Sequence, residues 1–206
     1  MNDIKLLIAD DHAIVRTGLV ALLESSGGIT IVGETDDGDA AVRMVQKCRP
    51  DIVIMDILMP GKNGIDATAE IKKKFPGTKV LILTTSTVSD DLSAALAAGA
   101  DGAVTKSTAN KTLLAAVRSV AEGRRYVSPA ISKMIANDPP APELTDRQRV
   151  ILGAMSQGKG NKEIAAELGI QTDSVRQHVI AILAKLGAVN RAEAVAIAMR
   201  KQLLNI

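Results

Sequence analysis

Five short apolar runs, each followed by an amphipathic stretch, fill the first 120 or so residues and narrow the possible folds more than any other feature. The runs are IKLLIA (4–9), ITIVGE (29–34), DIVIMD (51–56), KVLILTT (79–85) and GAVTK (102–106). Amphipathic stretches lie near 13–25, 38–48, 63–74, 90–98 and 109–122. The third and fourth runs are apolar without alternation, as in strands covered on both faces. Strand–helix units in this succession predict an α/β domain with an open, parallel, five-stranded sheet, doubly wound by helices on both sides. In such sheets ligands gather beyond the carboxyl ends of the strands.

Those strand ends are chemically unusual. The first run ends at Asp10 and Asp11, the third at Asp56, the fourth at Thr84 and Thr85, and the fifth at Lys106. Three carboxylates brought to one edge repel and raise one another's pKa unless a cation joins them. Oxygen-only ligands suit Mg²⁺, which keeps waters and shares its shell with phosphate. Asp56 is therefore a candidate metal ligand and nucleophile. Taken singly, each residue also has a plainer use: Asp10 or Asp11 as a helix N-cap, Thr84 as a β-branched strand residue, Lys106 as a surface charge.

Beyond residue 122 the alternation stops. YVSPAISKMIANDPPAPE (126–143) carries Pro139, Pro140 and Pro142 and predicts a semi-stiff linker over 123–142. From 143 the periodicity is helical. Thr145 with Gln148 forms a capping-box pattern, Asn190 with Glu193 resembles a second, Gly160 or Asn161 and Thr172 can open two helices between them, and Gly169 and Gly187 can close them. This predicts a small all-α domain of four helices over 143–206. Residues 1–142 hold 16 Lys and Arg against 17 Asp and Glu, and residues 143–206 hold 9 against 6. A small basic segment behind a neutral one hints at a nucleic-acid module, although a solvated surface accounts for it equally well. With one Phe, one Tyr and no Trp, the core must be aliphatic and base stacking on aromatic platforms is almost excluded.

In SVRQHVIAILAKLG (174–187), Val175, Val179, Ile182 and Leu186 make an apolar face, with Gln177, Ile180 and Ala184 opposite and Arg176 to one side. A helix with small or uncharged residues beside an arginine can enter a major groove, and NKEIAAELGI before it gives helix-turn-helix spacing. In the last helix, Ala192, Val195, Met199 and Leu203 fall on one stripe, with packing onto their own domain as the default. The histidines, His12 and His178, lie in different domains, so no zinc site is expected.

IADDH, IMDILMPGKNG, VLILTT and GAVTKS resemble the receiver domain of bacterial two-component response regulators, over 1–122. The resemblance implies a flavodoxin-like sheet in which Asp56 accepts a phosphoryl group from the phosphohistidine of a sensor histidine kinase or phosphotransfer protein. It further implies that Asp11, Asp56 and the Leu58 carbonyl hold Mg²⁺, with Asp10 close by or acting through water, and that Thr84 and Lys106 donate to the phosphoryl oxygens. Two positions depart from the pattern: Ala103 replaces the aromatic usual three residues before the lysine, and Ser107 the proline after it. LTDRQ, GKGNKEIAAELGI, SVRQHV and KLGAVNRAEAV resemble the DNA-binding domain of the NarL/FixJ branch of the LuxR superfamily, over 143–204. Carried over by position, Arg176, Gln177 and Ile180 face DNA, while Asn161, Lys162, Thr172 and Lys185 contact its backbone; a pair of such domains implies a homodimer on double-stranded DNA. Gln148 stands where that family has Glu.

The expectation is a phosphorylation-controlled transcription factor and not an enzyme. Two other classes remain: an aspartate-nucleophile phosphatase or nucleotide-binding enzyme, and a regulator acting through constitutive protein contacts. Leu58 occupies the place where haloacid-dehalogenase-like phosphatases want a second Asp, and ADDHA lacks the glycines of a dinucleotide turn. The single Cys48, an N-terminus unlike a signal peptide and the lack of a bilayer-length apolar stretch lead to the expectation of a cytoplasmic protein without membrane partners.

Overall fold

The computed structural model describes residues 3–86, 88–139, 143–201 and 203–204. The chain divides into two compact units, Met1–Pro139 and Pro140–Ile206.

In the first unit, β1 (Ile4–Ala9), β2 (Ile29–Thr35), β3 (Ile52–Met55), β4 (Lys79–Thr84), β5 (Gly102–Thr105) and β6 (Tyr126–Val127) form one sheet in the order β2-β1-β3-β4-β5-β6. All its pairings are parallel. The order reverses between β1 and β3, so their carboxyl ends open a crevice there. Alternate residues of each strand feed two aliphatic layers. Leu6, Ile8, Ile52, Ile54, Leu81, Leu83 and Val104 pack with residues of α1 (Ala13–Ser25) and α5 (Asn110–Ala121). Leu7, Ala9, Val53, Met55, Val80, Ile82 and Ala103 pack with residues of α2 (Gly38–Cys48), α3 (Gly64–Lys74) and α4 (Ser89–Ala97). Burial on both faces explains why β3 and β4 lack polar alternation.

The sheet has six strands among the described residues, one more than the sequence predicts. The expected linker over 123–142 is also corrected: its first part is β6 followed by α6 (Pro129–Asn137). Ser128 caps this helix by accepting from the Ile131 amide, Pro129 occupies its first position, and Ile131 is fully buried in the core beside α4 and β5. A two-residue strand and a one-face helix offer little periodicity, and the prolines that follow outweighed them. Of those, Pro140 and Pro142 lie outside the described residues.

The second unit holds α7 (Asp146–Ser156), α8 (Asn161–Leu168), α9 (Thr172–Leu186) and α10 (Arg191–Arg200) around Leu144, Ile151, Leu152, Ile164, Val175, Ile182 and Leu186. The Thr145–Gln148 capping box is present. At the other predicted box the reciprocal bond is displaced: Asn190 accepts from the Glu193 amide, while the Glu193 carboxylate takes the amide of Val189. Gly169 and Gly187 end α8 and α9 in the left-handed region, at φ 63° and 66°, where a Cβ is disfavoured. On α10 the buried positions are Ala194 and Ala198, whereas Met199 is half exposed. Of the predicted stripe, Val195 and Leu203 pack against the core of the domain, whereas Ala192 and Met199 are exposed.

Candidate functional site

The ladder between strands continues one residue past their ends and fixes the acidic residues. The Asp56 amide donates to Ala9 O (2.8 Å) and the Asp10 amide to Thr35 O (3.0 Å). Both side chains are then held at the switch point almost without exposure, at 1% each. After Asp56 the chain runs through Ile57 and Met59, which anchor in the core, and Leu58, which points outward at 52% exposure. It closes back on itself at Gly64, whose amide donates to Ile57 O (2.9 Å). A Cβ at Gly64 would stand 1.9 Å from the Asp56 carbonyl oxygen, so only glycine lets α3 start this close to the acidic residue. Lys62 fastens the same loop to α2 and α3 through Asp39 (2.5 Å) and Glu70.

Lys106, at the end of β5, reaches across the crevice. Its Nζ lies 2.6 Å from Asp10 Oδ2 and 2.6 Å from Asp56 Oδ2. Burial alone would lower the pKa of this ammonium, but the two close carboxylates of Asp10 and Asp56 outweigh it and raise the pKa. The bond to Asp56 is well aligned; Asp10 Oδ2, though close to the ammonium, makes no well-directed hydrogen bond. Asp10 Oδ1 accepts from the His12 amide (2.9 Å), so neither aspartate side chain caps α1, whose N-cap is His12. Asp11 is partly exposed and its Oδ1 meets His12 Nδ1 at 2.5 Å. One ligand atom from each of Asp10, Asp11, His12 and Asp56 lies within 4.8 Å of the others. His12 is the member that sequence reasoning left out; its place beside the acidic pair was the available signal.

Thr84 is fully buried at the end of β4, and its Oγ1 accepts from the Ser86 amide (3.0 Å). Its carbonyl takes the Lys106 amide (2.9 Å), which joins the hydroxyl-bearing and lysine-bearing strand ends. The Leu58 amide points at Asp56 Oδ1 (3.4 Å). No cis peptide occurs among the described residues, so Lys106–Ser107 is trans. Asp10, Asp11, Asp56 and Lys106 therefore meet at one strand edge, with Thr84 on the neighbouring strand end. This arrangement can neutralise and orient a small anionic group at Asp56.

In the second unit α8, a three-residue turn and α9 make the helix-turn-helix. Val175 and Ile182 are fully buried, and Arg176, Gln177 and Ile180 are exposed on the outer side of α9. Lys162 and Thr172 are exposed as well. Two residues expected at a DNA backbone have internal work. Lys185 donates to Glu143 O (2.7 Å) and Gln148 Oε1 (3.0 Å), so its ammonium ties α9 to the start of α7. Asn161 accepts from Arg191 (3.5 Å), whose guanidinium also binds the Lys159 carbonyl. Burial lowers the Arg191 pKa against the opposing pull of Glu163.

Comparison with known proteins decides the family. Residues 6–118 match the response regulator receiver domain, and residues 142–198 match the bacterial regulatory proteins of the luxR family. The chain is a response regulator. Similarity runs its full length: to the transcriptional regulatory protein YdfI of Bacillus subtilis (strain 168) it is 35% identical over 98% of both chains. To the oxygen regulatory protein NreC of Staphylococcus aureus (strain JH9) it is 36% identical, over 97% of this chain and 99% of that one. Among solved structures, the response regulator ChrA of a heme-sensing two-component system is 35% identical, with a TM-score of 0.60 over 99% of this chain and 100% of that one. An RcsB–DNA complex is 26% identical, with a TM-score of 0.70 over 97% and 99%. This response regulator is of the NarL/FixJ type, a DNA-binding transcriptional regulator of two-component systems. None of its described helices is long and apolar enough to cross a membrane.

Proposed function

We propose that this response regulator takes a phosphoryl group onto Asp56 from the phosphohistidine of a partner histidine kinase, and that the modified protein binds paired half-sites on DNA as a dimer. The observation that carries the reading is the Lys106 ammonium set 2.6 Å from a carboxylate oxygen of both Asp10 and Asp56 at the switch point of the sheet. In the transfer, an Asp56 carboxylate oxygen attacks phosphorus, the phosphorus–nitrogen bond breaks, and its electron pair returns to the imidazole of the donor. The product is an acyl phosphate. Lys106 then turns its ammonium to the phosphoryl oxygens, and Thr84 exchanges its contact with Ser86 for a hydrogen bond to the same group.

A divalent cation fits the remaining charge. All four carboxylate oxygens of Asp10 and Asp56 are hard donors, and Asp10 Oδ2 is buried without a well-directed hydrogen bond. Asp10, Asp11, Asp56 and the Leu58 carbonyl would hold Mg²⁺. Held there, Mg²⁺ would supply neutralisation of phosphoryl charge. Arg176, Gln177 and Ile180 are the residues of α9 that would face bases or phosphates, with Lys162, Thr172 and Asn161 nearer the backbone. Lys185 is better accounted for by its contact with Gln148.

Intact mass after incubation with acetyl phosphate and Mg²⁺ tests the reading, with Asp56→Asn beside it. A single phosphoryl adduct, absent without Mg²⁺ and absent in the variant, is expected. An adduct that persists in Asp56→Asn would move the modification elsewhere and overturn the assignment.

A further inference from the structure

Ala103 leaves no aromatic ring at β5, where the receiver pattern usually carries one. The surroundings of Ala103 show what stands there. Ala103 pairs with Val127 of β6, its carbonyl takes the Ser128 amide (2.9 Å), and Ile131 of α6 lies fully buried in the same apolar layer as Leu92 and Ala95 of α4. The end of α6 is tied to the start of α4: Ser89 Oγ donates to Asp138 Oδ2 at 2.9 Å, with Ser89 only 3% exposed. Asp138 is the C-cap of α6 and stands one residue before the end of the first unit.

The start of α4 is in turn built on the residue that grips Thr84. The Ser86 amide donates to Thr84 Oγ1 (3.0 Å), while Ser86 Oγ donates to Asp91 Oδ2 (3.0 Å) and accepts from the Val88 amide (3.2 Å). Val88, the N-cap of α4, has no side-chain oxygen to offer, so Ser86 holds that first turn from outside. Hydrogen bonds thus link Thr84 to Ser86 and Ser86 to Val88 and Asp91, and through the backbone of the first turn of α4 this set is joined to the Ser89–Asp138 bond.

Resting on the proposed phosphorylation of Asp56, we propose that the Ser89–Asp138 hydrogen bond is a phosphorylation-sensitive latch on α6. When Thr84 turns its hydroxyl to a phosphoryl oxygen, its contact with the Ser86 amide is lost, the first turn of α4 shifts, and Ser89 leaves Asp138. The carboxyl-terminal end of α6 then loses this tie to the first turn of α4. The latch acts through a two-state contact whose balance the phosphoryl group biases.

Hydrogen exchange of the full-length chain tests this, with and without acetyl phosphate and Mg²⁺, intact mass being read on the same samples. Wild type is expected to form the adduct and to exchange the amides of 133–138 about tenfold faster, the ratio for losing a hydrogen bond to a charged acceptor. Ser89→Ala is expected to show the fast exchange before phosphorylation and no further change after it, and Asp138→Ala to repeat that result from the other partner. An adduct with unchanged exchange over 133–138, or an undiminished phosphorylation response in both variants, overturns the latch alone. Absence of the adduct from wild type overturns the phosphoacceptor reading and the latch with it.

Discussion

Lys106 is the residue on which the charge balance of the site depends. It lies between two carboxylates that are each 1% exposed, and an unpaired buried charge is costly to the fold. Lys106→Met should therefore lower stability to urea by about 3 kcal/mol in EDTA, the low end for breaking a buried pair. Mg²⁺ should restore more stability to the variant than it adds to wild type, because a second cation then answers the same two carboxylates. Equal Mg²⁺ effects on both proteins would show that the carboxylates and the ion do not meet. Leu58 supports a kinetic prediction. Half exposed beside Asp56 and lacking any polar side-chain atom, it cannot orient an attacking water, so the phosphoryl group should persist for minutes or longer. Leu58→Asn should hasten its loss about tenfold, below the usual span for a positioned proton acceptor. A wild-type half-life of seconds, read by phosphate release, would sink this account. Asp10, Asp11, Asp56, Thr84 and Lys106 were legible in the sequence because parallel strands deliver their last residues to one edge. His12 carried a local signal as well, since it meets Asp11, its neighbour in sequence. Lys185 did not: what an exposed ammonium meets depends on elements distant in sequence, and Lys185 finds its partner 37 residues away.

At the scale of elements, the start of α7 joins capping to packing. Gln148 Oε1 accepts both the Thr145 amide and the Lys185 ammonium at 3.0 Å, and the side chain is buried. A carboxylate in its place would make both bonds charge-assisted. Gln148→Glu should thus stabilise the second unit by about 1 kcal/mol at neutral pH. The sign with pH follows from linkage. The new carboxyl would have a depressed folded-state pKa, so its gain is complete above the unfolded value near 4.3 and fades as pH falls below it. Thermal unfolding of variant and wild type at pH 7 and pH 3 checks both halves; a gain that survives at pH 3 would refute the charge argument. The helices of this unit were readable because Thr145, Gly169 and Gly187 punctuate them locally. The segment β6–α6 was misread although Ser128 and Pro129 spell a helix start, because what makes it an element is Ile131 entering a core assembled by α4 and β5, and no local pattern records that.

For the whole molecule, the number of copies on DNA can be read from charge. The unit around α9 carries 9 Lys and Arg against 6 Asp and Glu, a modest excess, and Ile180 presents an apolar group on the exposed side of α9. If that side enters the groove, Ile180→Lys adds one cation to each recognition helix at the interface. Each neutralised phosphate steepens the dependence of log affinity on log salt by about 0.9. One bound copy should therefore raise the slope by about 0.9, and a dimer by about 1.8. The comparison needs no knowledge of the operator, since the counterion effect operates on any duplex. Measured by fluorescence anisotropy before and after phosphorylation, the increment should pass from the smaller value to the larger if phosphorylation brings two copies together. An unchanged slope in both states would remove this side of α9 from the interface, and a constant increment of 0.9 would leave the protein on DNA as single copies.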